Sequence, residues 1–426
     1  MDQRPMPTRR RWVFFLSSPV SSYVHRRDMM KSTLLVIIVL LTSLLPAAAL
    51  DANLTDGCVE DYAADVDYFP QKIEVVDAAK FTVEYFKSYK VVSVADAFDG
   101  ATDFSYALVQ CGTPAPSPAD FPEGTQFIEV PTGALITLST TQLPALSQLG
   151  LLDRLAGVDS GFYISTPEVA QRIAEGEIAE VGFGNQVNIE LVLELEPQLV
   201  MSYGFNPASD AHPVLLEAGI FTALDASWRE LSPLGRAEWI KFTALFYNEE
   251  ERANAIYEDI AAQYEMVRER AAAAGAEERP AVLINSFLGY ADAWFIPGED
   301  TYVGQLIRDA GGDLLLAEAG SASSQGLGFE AVFEGGLNAD VWLVETFGVN
   351  SSADMLALDS RFGDFAAFQS GELWNNNRDE NANGGNNYYE WGVTNPQLVL
   401  ADLLAIFHPD LMPDHEFAFY QRLASE

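Results

Sequence analysis

The sequence predicts an α/β protein in which two lobes of mainly parallel sheet are joined by a single long helix and preceded by a strand-rich N-terminal extension. Two observations predict this fold class. Strand patterns alternate with helical patterns over residues 131–235 and again over residues 279–426, and this alternation is typical of parallel βαβ units. Between the two blocks, residues 236–275 contain no proline and no internal glycine, so this bridging segment is predicted to be helical.

The predicted extension covers residues 50–130. Its strands are indicated by four runs with alternating apolar residues, FTVEYF, YKVVSV, FSYALVQ and QFIEV. Cys58 and Cys111, the only cysteines of the chain, both lie in this extension. An oxidising compartment allows one disulfide between them. A zinc site is disfavoured because no histidine accompanies the two thiols.

Residues 1–49 are predicted to be a leader and signal peptide. The apolar run LLVIIVLLTSLL follows a basic flank and ends in small residues, so cleavage is predicted after Ala49. The run is too short for a comfortable bilayer span. The chain is therefore expected to be exported to the periplasm or the cell exterior. Tethering to the membrane through an uncleaved N-terminal segment is the alternative.

The chain is strongly acidic, with a formal net charge of −38 at pH 7. Such a surface repels nucleic acid and anionic lipid headgroups, so both are excluded as partners, and we expect a soluble monomer. The sequence contains no Gly-x-Ser-x-Gly elbow, phosphate-binding loop or His-Glu-x-x-His motif. We therefore predict no catalytic residue and no cofactor. His408 and His415 lie near carboxylates, but the prolines around them favour a structural cap over a metal site.

The bridging segment is predicted to contain a short helix up to Tyr247 and then one long helix. Asn248 followed by Glu251 fits a capping box at the start of the long helix. Its apolar residues recur at three- and four-residue spacing and form one stripe: Ala253, Ile256, Ile260, Tyr264 and Val267. An uninterrupted helix placed between two lobes would be a rigid connection, and an ordinary long core helix is the simpler alternative. A kink near Ile256 would contradict the rigid connection.

Candidate ligand contacts in the first lobe follow its predicted strands. Ligands of parallel sheets bind at the carboxyl ends of the strands, in the loops that lead to the helices. The side chains predicted at this mouth are Thr140, Thr141, Gln142, Tyr163, Phe183, Asn188 and Tyr203. Trp228, Arg229 and Arg236 lie near the exit of the lobe and are further candidates. In the second lobe, Trp294 falls in a predicted turn and Trp391 follows the asparagine-rich loop 375–387.

Six ordered blocks and the bridging helix resemble the class III periplasmic substrate-binding proteins, which serve importers of iron-siderophores, haem and cobalamin. The blocks are ALITLSTTQLPALSQLGLLDRLAGVDS, NIELVLELEPQLVMSYG, RPAVLI, AWFIPGEDTYVGQLIRDAGG, FEAVFEGGLNADVWL and SGELWNNN. The resemblance covers residues 133–423. It implies two Rossmann-like lobes joined by the long helix, with the ligand held between them and little closure.

The resemblance also implies a partner, the permease of an ABC importer. Family members often carry a glutamate on the first helix of the first lobe that meets arginines of the permease. Pro144 stands at that place here. The docking contact is therefore in doubt, with Glu168 and Glu318 as substitutes between which the sequence gives no choice.

The function implied by the resemblance is a non-catalytic receptor that captures an iron-siderophore-type metal chelate and delivers it to an ABC importer. Cobalamin or haem binding by the same fold is the alternative. Hypotheses from other classes are a secreted two-lobed enzyme and a surface adhesion scaffold. The predicted aromatic walls of the site are Tyr163, Phe183, Tyr203, Trp228, Trp294 and Trp391. The predicted polar contacts are Arg229, Arg236 and Asn188, together with Thr140, Thr141 and Gln142.

Overall fold

The computed structural model describes residues 50–273, 275 and 279–425. The leader and signal peptide predicted in residues 1–49 lie outside the described residues. Within the described part of the chain, no helix is both long enough and apolar enough to cross a membrane.

The N-terminal extension forms a four-stranded sheet, and its strands coincide with the four runs that predict them. They are β1 (Phe81–Tyr85), β2 (Tyr89–Val94), β3 (Phe104–Gln110) and β4 (Gln126–Val130). β1, β2 and β3 pair antiparallel, and β4 pairs parallel with β3. Cys58 and Cys111 form a disulfide that ties the segment before β1 to the end of β3.

The first lobe is a five-stranded parallel sheet with helices between its strands. The strands are β5 (Leu135–Thr137), β6 (Leu155–Val158), β7 (Ala179–Glu180), β8 (Leu199–Tyr203) and β9 (Thr222–Asp225), in the order β7-β6-β5-β8-β9. The helices are α1 (Leu143–Leu149), α2 (Pro167–Ala174), α3 (Ile189–Glu194) and α4 (His212–Glu217). All neighbouring strands run parallel, so their carboxyl ends share one edge of the sheet.

The bridging segment holds two short helices, α5 (Pro233–Ala237) and α6 (Trp239–Leu245), and then α7 (Glu250–Ala272). α7 continues without interruption past Ile256, and its 23 residues span about 35 Å. Ala253 and Ile260 pack in the core of the first lobe, whereas Tyr264 packs in the core of the second. The long helix between two lobes is therefore confirmed.

The predicted capping box at the start of α7 is wrong. Asn248 has a φ of 59° and precedes the helix by two residues, and its side chain does not cap it. Instead, its amide group accepts a hydrogen bond from Lys90 Nζ (2.9 Å) and donates one to Gln110 Oε1 (2.9 Å). Because both partners come from the extension, Asn248 joins that sheet to the start of α7.

The second lobe is built on a mixed five-stranded sheet. Its strands are β10 (Ala281–Ile284), β13 (Asp313–Leu314), β15 (Val341–Leu343), β16 (Leu373–Asn375) and β17 (Gln421–Arg422), in the order β13-β10-β15-β16-β17. Only β17 runs antiparallel to its neighbour. A small antiparallel sheet adds β11 (Phe287–Leu288), β12 (Ala293–Ile296) and β14 (Gln325–Leu327). The helices are α8 (Tyr302–Asp309), α9 (Phe329–Gly336), α10 (Ser352–Leu358), α11 (Ala366–Ser370) and α12 (Pro396–Phe407).

Candidate functional site

A cleft runs between the two lobes, where the carboxyl ends of their parallel strands lie. Three cavities lie along it, with volumes of about 490, 250 and 310 Å³. We name them the Arg229 cavity, the Tyr203 cavity and the Glu345 cavity, each after one lining residue. Trp228 lines both the Arg229 cavity and the Tyr203 cavity. Thr140 lines the Glu345 cavity, and the next residue, Thr141, lines the Tyr203 cavity. The cavities therefore follow one another along the cleft.

The Arg229 cavity lies between the exit of the first lobe and the start of α8, and the extension forms one of its walls. Two of its cationic side chains, Lys80 and Arg229, are paired with carboxylates. Arg229 contacts Asp96 Oδ1 (2.9 Å) and Asp99 Oδ1 (2.7 Å). Lys80 contacts the other oxygen of Asp96 at 2.8 Å. These carboxylates offset the positive charge of both cations.

Arg236 joins the two lobes at the same cavity. Its guanidinium donates hydrogen bonds to the backbone oxygens of Glu230 (3.1 Å) and Trp228 (2.9 Å). The same group lies 3.6 Å from the centre of the Tyr302 ring, which belongs to the second lobe. A guanidinium over an aromatic face is an attractive arrangement, so Arg236 stabilises the contact between the lobes.

The Tyr203 cavity is lined by the ends of β5, β8 and β9. Gln142, in the turn after β5, is buried and donates a hydrogen bond to Ser202 O (3.2 Å). Tyr203 closes β8, and burial raises the pKa of its hydroxyl. Phe205 lies against Trp228, with ring centroids 5.7 Å apart. This part of the cleft presents aromatic faces with few polar groups.

The Glu345 cavity lies at the carboxyl ends of β15 and β16 and reaches Tyr163 of the first lobe. Tyr163 is 59% exposed. Among the described residues, no lysine, arginine or histidine lines this cavity. Its polar lining is formed by Thr140, Tyr163, Glu345, Thr346, Asn376, Asn377, Glu380, Asn386 and Tyr389. The site at this end of the cleft therefore offers carboxyl, amide and hydroxyl groups.

Sequence reasoning missed Glu345. Its Oε1 accepts a hydrogen bond from the Tyr420 hydroxyl at 2.7 Å. Burial raises the pKa of the Glu345 carboxyl from its ordinary value of 4.5 to about 7. The available signal was a glutamate that ends the apolar run VWLVE, since this position lies at the carboxyl end of a parallel strand.

The asparagine-rich loop of the second lobe touches the first lobe beside this cavity. Asn381 Nδ2 donates to Ile164 O at 3.0 Å, and Trp391 Nε1 donates to Thr166 Oγ1 at 3.2 Å. Glu390 accepts hydrogen bonds from the same segment of the first lobe. Trp391, predicted as a ligand wall, therefore lies in a contact between the lobes.

Eight of the predicted contacts line the three cavities: Thr140, Thr141, Gln142, Tyr163, Tyr203, Trp228, Arg229 and Arg236. Their contact with a ligand stays a prediction. Phe183 is 64% exposed and lies outside the lining of these cavities. Asn188 caps α3, because its Oδ1 accepts a hydrogen bond from Leu191 N at 3.1 Å.

Trp294 is not a ligand wall. The predicted turn that contains it is strand β12, and the Trp294 side chain points into the core of the second lobe with 0% exposure. Its ring stacks on Trp342 at 5.4 Å, and its Nε1 donates to Ile284 O at 2.7 Å. A buried indole needs a partner for its N–H group, and this backbone oxygen supplies one.

Within the described part of the chain, no group of three or more His, Cys, Asp or Glu side chains is placed to hold a metal ion. His408 Nε2 lies 3.2 Å from Gly311 O. His415 Nε2 lies 2.6 Å from Asp402 Oδ1. Both contacts connect the C-terminal segment to neighbouring elements of the second lobe.

The chain is similar to a protein family and to several known proteins. A family model described as "Periplasmic binding protein" matches residues 135–374. An uncharacterized lipoprotein of Methanocaldococcus jannaschii is 25% identical over 343 residues, which cover 76% of this chain and 77% of the relative. A periplasmic haem-binding protein from Pseudomonas aeruginosa has a TM-score of 0.48 at 20% identity, over 65% of this chain and 93% of that one. The periplasmic vitamin B12-binding protein of Vibrio cholerae has a TM-score of 0.45 at 15% identity, over 67% and 99%.

Proposed function

Because the chain belongs to the periplasmic binding protein family, we propose that it is an exported receptor that captures a metal chelate without net negative charge and delivers it to an ABC importer. The chelate is a corrinoid or an uncharged or cationic ferric siderophore. The observation that carries this choice is the charge balance of the cleft.

The cationic side chains at the cleft are already paired or enclosed. Lys80 and Arg229 contact Asp96, and Arg229 also contacts Asp99. Arg236 lies between backbone oxygens and the Tyr302 ring. An anionic chelate transferred from water needs unpaired cations to compensate its lost hydration. Of the three cations in the described lining of the cleft, Lys80 and Arg229 are paired with carboxylates, and Arg236 is held by backbone oxygens and the Tyr302 ring. Anionic siderophores are therefore disfavoured.

The Glu345 cavity supports the same choice. Its lining combines the carboxyl groups of Glu345 and Glu380 with the amides of Asn376 and Asn386. The asparagine amides can pair with uncharged amides of a ligand, and the carboxyl groups attract its cationic groups and, when ionised, repel its carboxylates. Haem carries two carboxylates and is disfavoured for this reason.

The aromatic faces along the cleft suit a large ligand with apolar surface. Tyr163, Tyr203 and Trp228 come from the first lobe, and Tyr302 and Tyr389 from the second. Rigid aromatic side chains bury a large area with little loss of side-chain entropy and leave a polar edge for hydrogen bonds. The proposed ligand therefore lies between aromatic walls of both lobes.

The proposed partner is the permease of the importer, and the receptor is proposed to act as a monomer. Pro144 is buried in the first turn of α1 and offers no carboxylate to that partner. Glu168, in the first turn of α2, and Glu318, in the second lobe, are both exposed. These two remain the candidates for docking.

Tryptophan fluorescence of residues 50–426 tests the proposal. The protein is titrated with cyanocobalamin, with ferrioxamine B (a cationic ferric hydroxamate), with haem and with ferric citrate. We expect quenching by cyanocobalamin or ferrioxamine B with a dissociation constant of about 1 μM or below, and weaker binding of haem and ferric citrate. If none of the four chelates changes the fluorescence, the proposed receptor function is refuted. If haem or ferric citrate binds more tightly than the other two, the charge argument is refuted.

Two variants show whether the ligand lies in the cleft. Trp228→Ala removes an aromatic face that two cavities share, and we expect it to weaken binding by about 1–3 kcal/mol. Trp374→Ala is the matched control, because Trp374 lies on β16 against Phe417, outside the lining of the three cavities. Equal effects of the two variants would place the ligand elsewhere.

A further inference from the structure

Glu345 occupies an unusual backbone position at the cleft. It lies two residues after the end of β15 and has a φ of 43°. A residue other than glycine is disfavoured in this left-handed region, and such residues persist where the surrounding structure holds them, often at ligand sites. The backbone conformation therefore places a carboxyl group at the carboxyl edge of the sheet.

The hydrogen bonding of Glu345 is incomplete. The Tyr420 hydroxyl is the one donor that reaches it among the described residues, and no described cation forms an ion pair with it. A carboxylate has about four acceptor positions. Glu238, by contrast, is fully buried and accepts hydrogen bonds from the backbone of residues 76–78 and from Lys241. Glu345 has spare acceptor capacity, and it lines a cavity.

The groups that face Glu345 are tyrosines. They come from the start of α8, from the helical turn at residues 388–392 and from the residue before β17: Tyr302, Tyr388, Tyr389 and Tyr420. Glu380 lines the same cavity, and the Arg236 guanidinium lies 3.6 Å from the centre of the Tyr302 ring. Burial raises the pKa of the Glu345 carboxyl to about 7. Phenol groups are neutral near neutral pH, so this setting leaves the charge of Glu345 without a counter-ion.

Amide side chains complete the cavity. Asn376 Nδ2 donates to the Tyr389 hydroxyl at 3.3 Å, and Asn386 Nδ2 donates to Asn376 Oδ1 at 3.3 Å. These contacts hold both amides in place beside the carboxyl group. A ligand group that donates N–H bonds would find a carboxyl acceptor and fixed amides in one cavity of about 310 Å³.

We propose that Glu345 forms a ligand subsite in the cleft, in which its carboxyl group accepts a hydrogen bond from an N–H group of the bound chelate. The donor is an amide, as on a corrinoid, or an ammonium, as on a cationic siderophore. The inference rests on the proposed function for the identity of the ligand. The contact itself is inferred from the position of Glu345 and from the lining of its cavity.

Isothermal titration calorimetry with cyanocobalamin and with ferrioxamine B tests this contact. Glu345→Leu removes the acceptor, and we expect it to weaken binding at least about tenfold. Glu345→Gln keeps an acceptor oxygen. It should therefore weaken the binding of a ligand with an amide donor at most about threefold, and the binding of a ligand with an ammonium donor about tenfold or more. Glu334→Leu, at an exposed glutamate on α9, is the control and should leave the affinity unchanged.

The outcomes separate the subsite from the receptor. If the wild type binds a chelate and Glu345→Leu binds it with the same affinity, the proposed subsite is wrong but the proposed receptor function is unaffected. If neither chelate binds the wild type, the proposed function falls, and thermal shifts with acetamide and methylammonium chloride, each against sodium chloride, decide the subsite. The N–H subsite is supported if either compound raises the melting temperature of the wild type but not that of Glu345→Leu. It is overturned if neither compound does so.

Discussion

The Glu390 carboxylate of the second lobe accepts a hydrogen bond from the backbone N–H of Thr166 in the first lobe at 2.8 Å. Its other oxygen accepts one from Ser165 N at 2.7 Å, whereas the Thr166 hydroxyl donates to the same oxygen as the Thr166 N–H. Glu390 is 1% exposed, so these bonds form away from water. They connect the lobes at a place separate from α7, next to the cavity that Tyr163 lines.

Loss of this contact is expected to loosen the lobes. Glu390→Ala leaves the buried donors of Ser165 and Thr166 without an acceptor, which costs about 1–3 kcal/mol for each unsatisfied group. Hydrogen exchange at both amides should become faster, and the radius of gyration from X-ray scattering should rise. Glu390→Gln, which keeps one acceptor oxygen, should have a smaller effect. Exchange rates that do not change would show that the contact contributes nothing to closure.

Gly385 offers an independent test of the same contact. A Cβ atom at this position would lie 2.2 Å from the backbone oxygen of Tyr163. Gly385→Ala should therefore push the asparagine-rich loop away from the first lobe and accelerate exchange at Thr166. Gly320→Ala is a control for a glycine with open space, since a Cβ there meets no atom within 4 Å, although its φ of 70° adds local strain. Equal exchange in the two variants would contradict the close approach.

The stability of the protein should depend on the protonation of Glu345. Its folded pKa of about 7 exceeds the ordinary value of 4.5. Its contribution to stability is then fully present below the ordinary value and is lost as the pH rises through 7. Between these limits the free energy of unfolding of Glu345→Gln should rise relative to wild type by about 3 kcal/mol. Urea unfolding across this range measures it, and a constant difference would argue against the burial of this charge.

Trp294 and Trp228 should respond differently to the same truncation. Trp294→Ala removes a fully buried ring that stacks on Trp342, so it should lower the free energy of unfolding by about 3–5 kcal/mol. Trp228 is partly exposed at the cleft, and its truncation should cost stability by about 1 kcal/mol or less. Urea unfolding of both variants distinguishes these roles, and similar losses would contradict the assignment of Trp294 to the core.

The sequence was sufficient for the features that depend on local periodicity. The four strands of the extension and the helix over residues 250–272 follow from alternation and from three- and four-residue spacing. The rule that ligands bind at the carboxyl ends of parallel strands indicated the cavities that eight of the predicted residues line. These features need no knowledge of which distant residues meet.

The errors concern residues whose role is fixed by distant partners. Asn248 fits a capping box locally, but Lys90 and Gln110, more than 130 positions away in the chain, hold its side chain. Trp294 lies near a Pro-Gly pair that suggests a turn, yet its position in β12 directs the ring onto Trp342. Such contacts leave no periodic signal in the sequence.

Lys90 and Glu250 form a buried ion pair between the extension and the first residue of α7. Both side chains are 0% exposed, and burial lowers the pKa of Lys90. Asn53 Nδ2 also donates to Glu250, at 2.8 Å. Lys90 lies outside residues 135–374, the part that matches the family model, whereas Glu250 lies within it. The pair therefore attaches an added sheet to the helix that joins the lobes.

Removal of one member of this pair should be costly, because it leaves the other charge buried alone. Lys90→Met should lower the free energy of unfolding by about 3–5 kcal/mol. Lys90→Met combined with Glu250→Gln should recover a large part of this loss, since no uncompensated charge then remains and the glutamine still accepts a hydrogen bond from Asn53. Urea unfolding of the two single variants and the double variant gives the coupling energy between the two positions. Additive losses would mean that the two charges do not depend on each other.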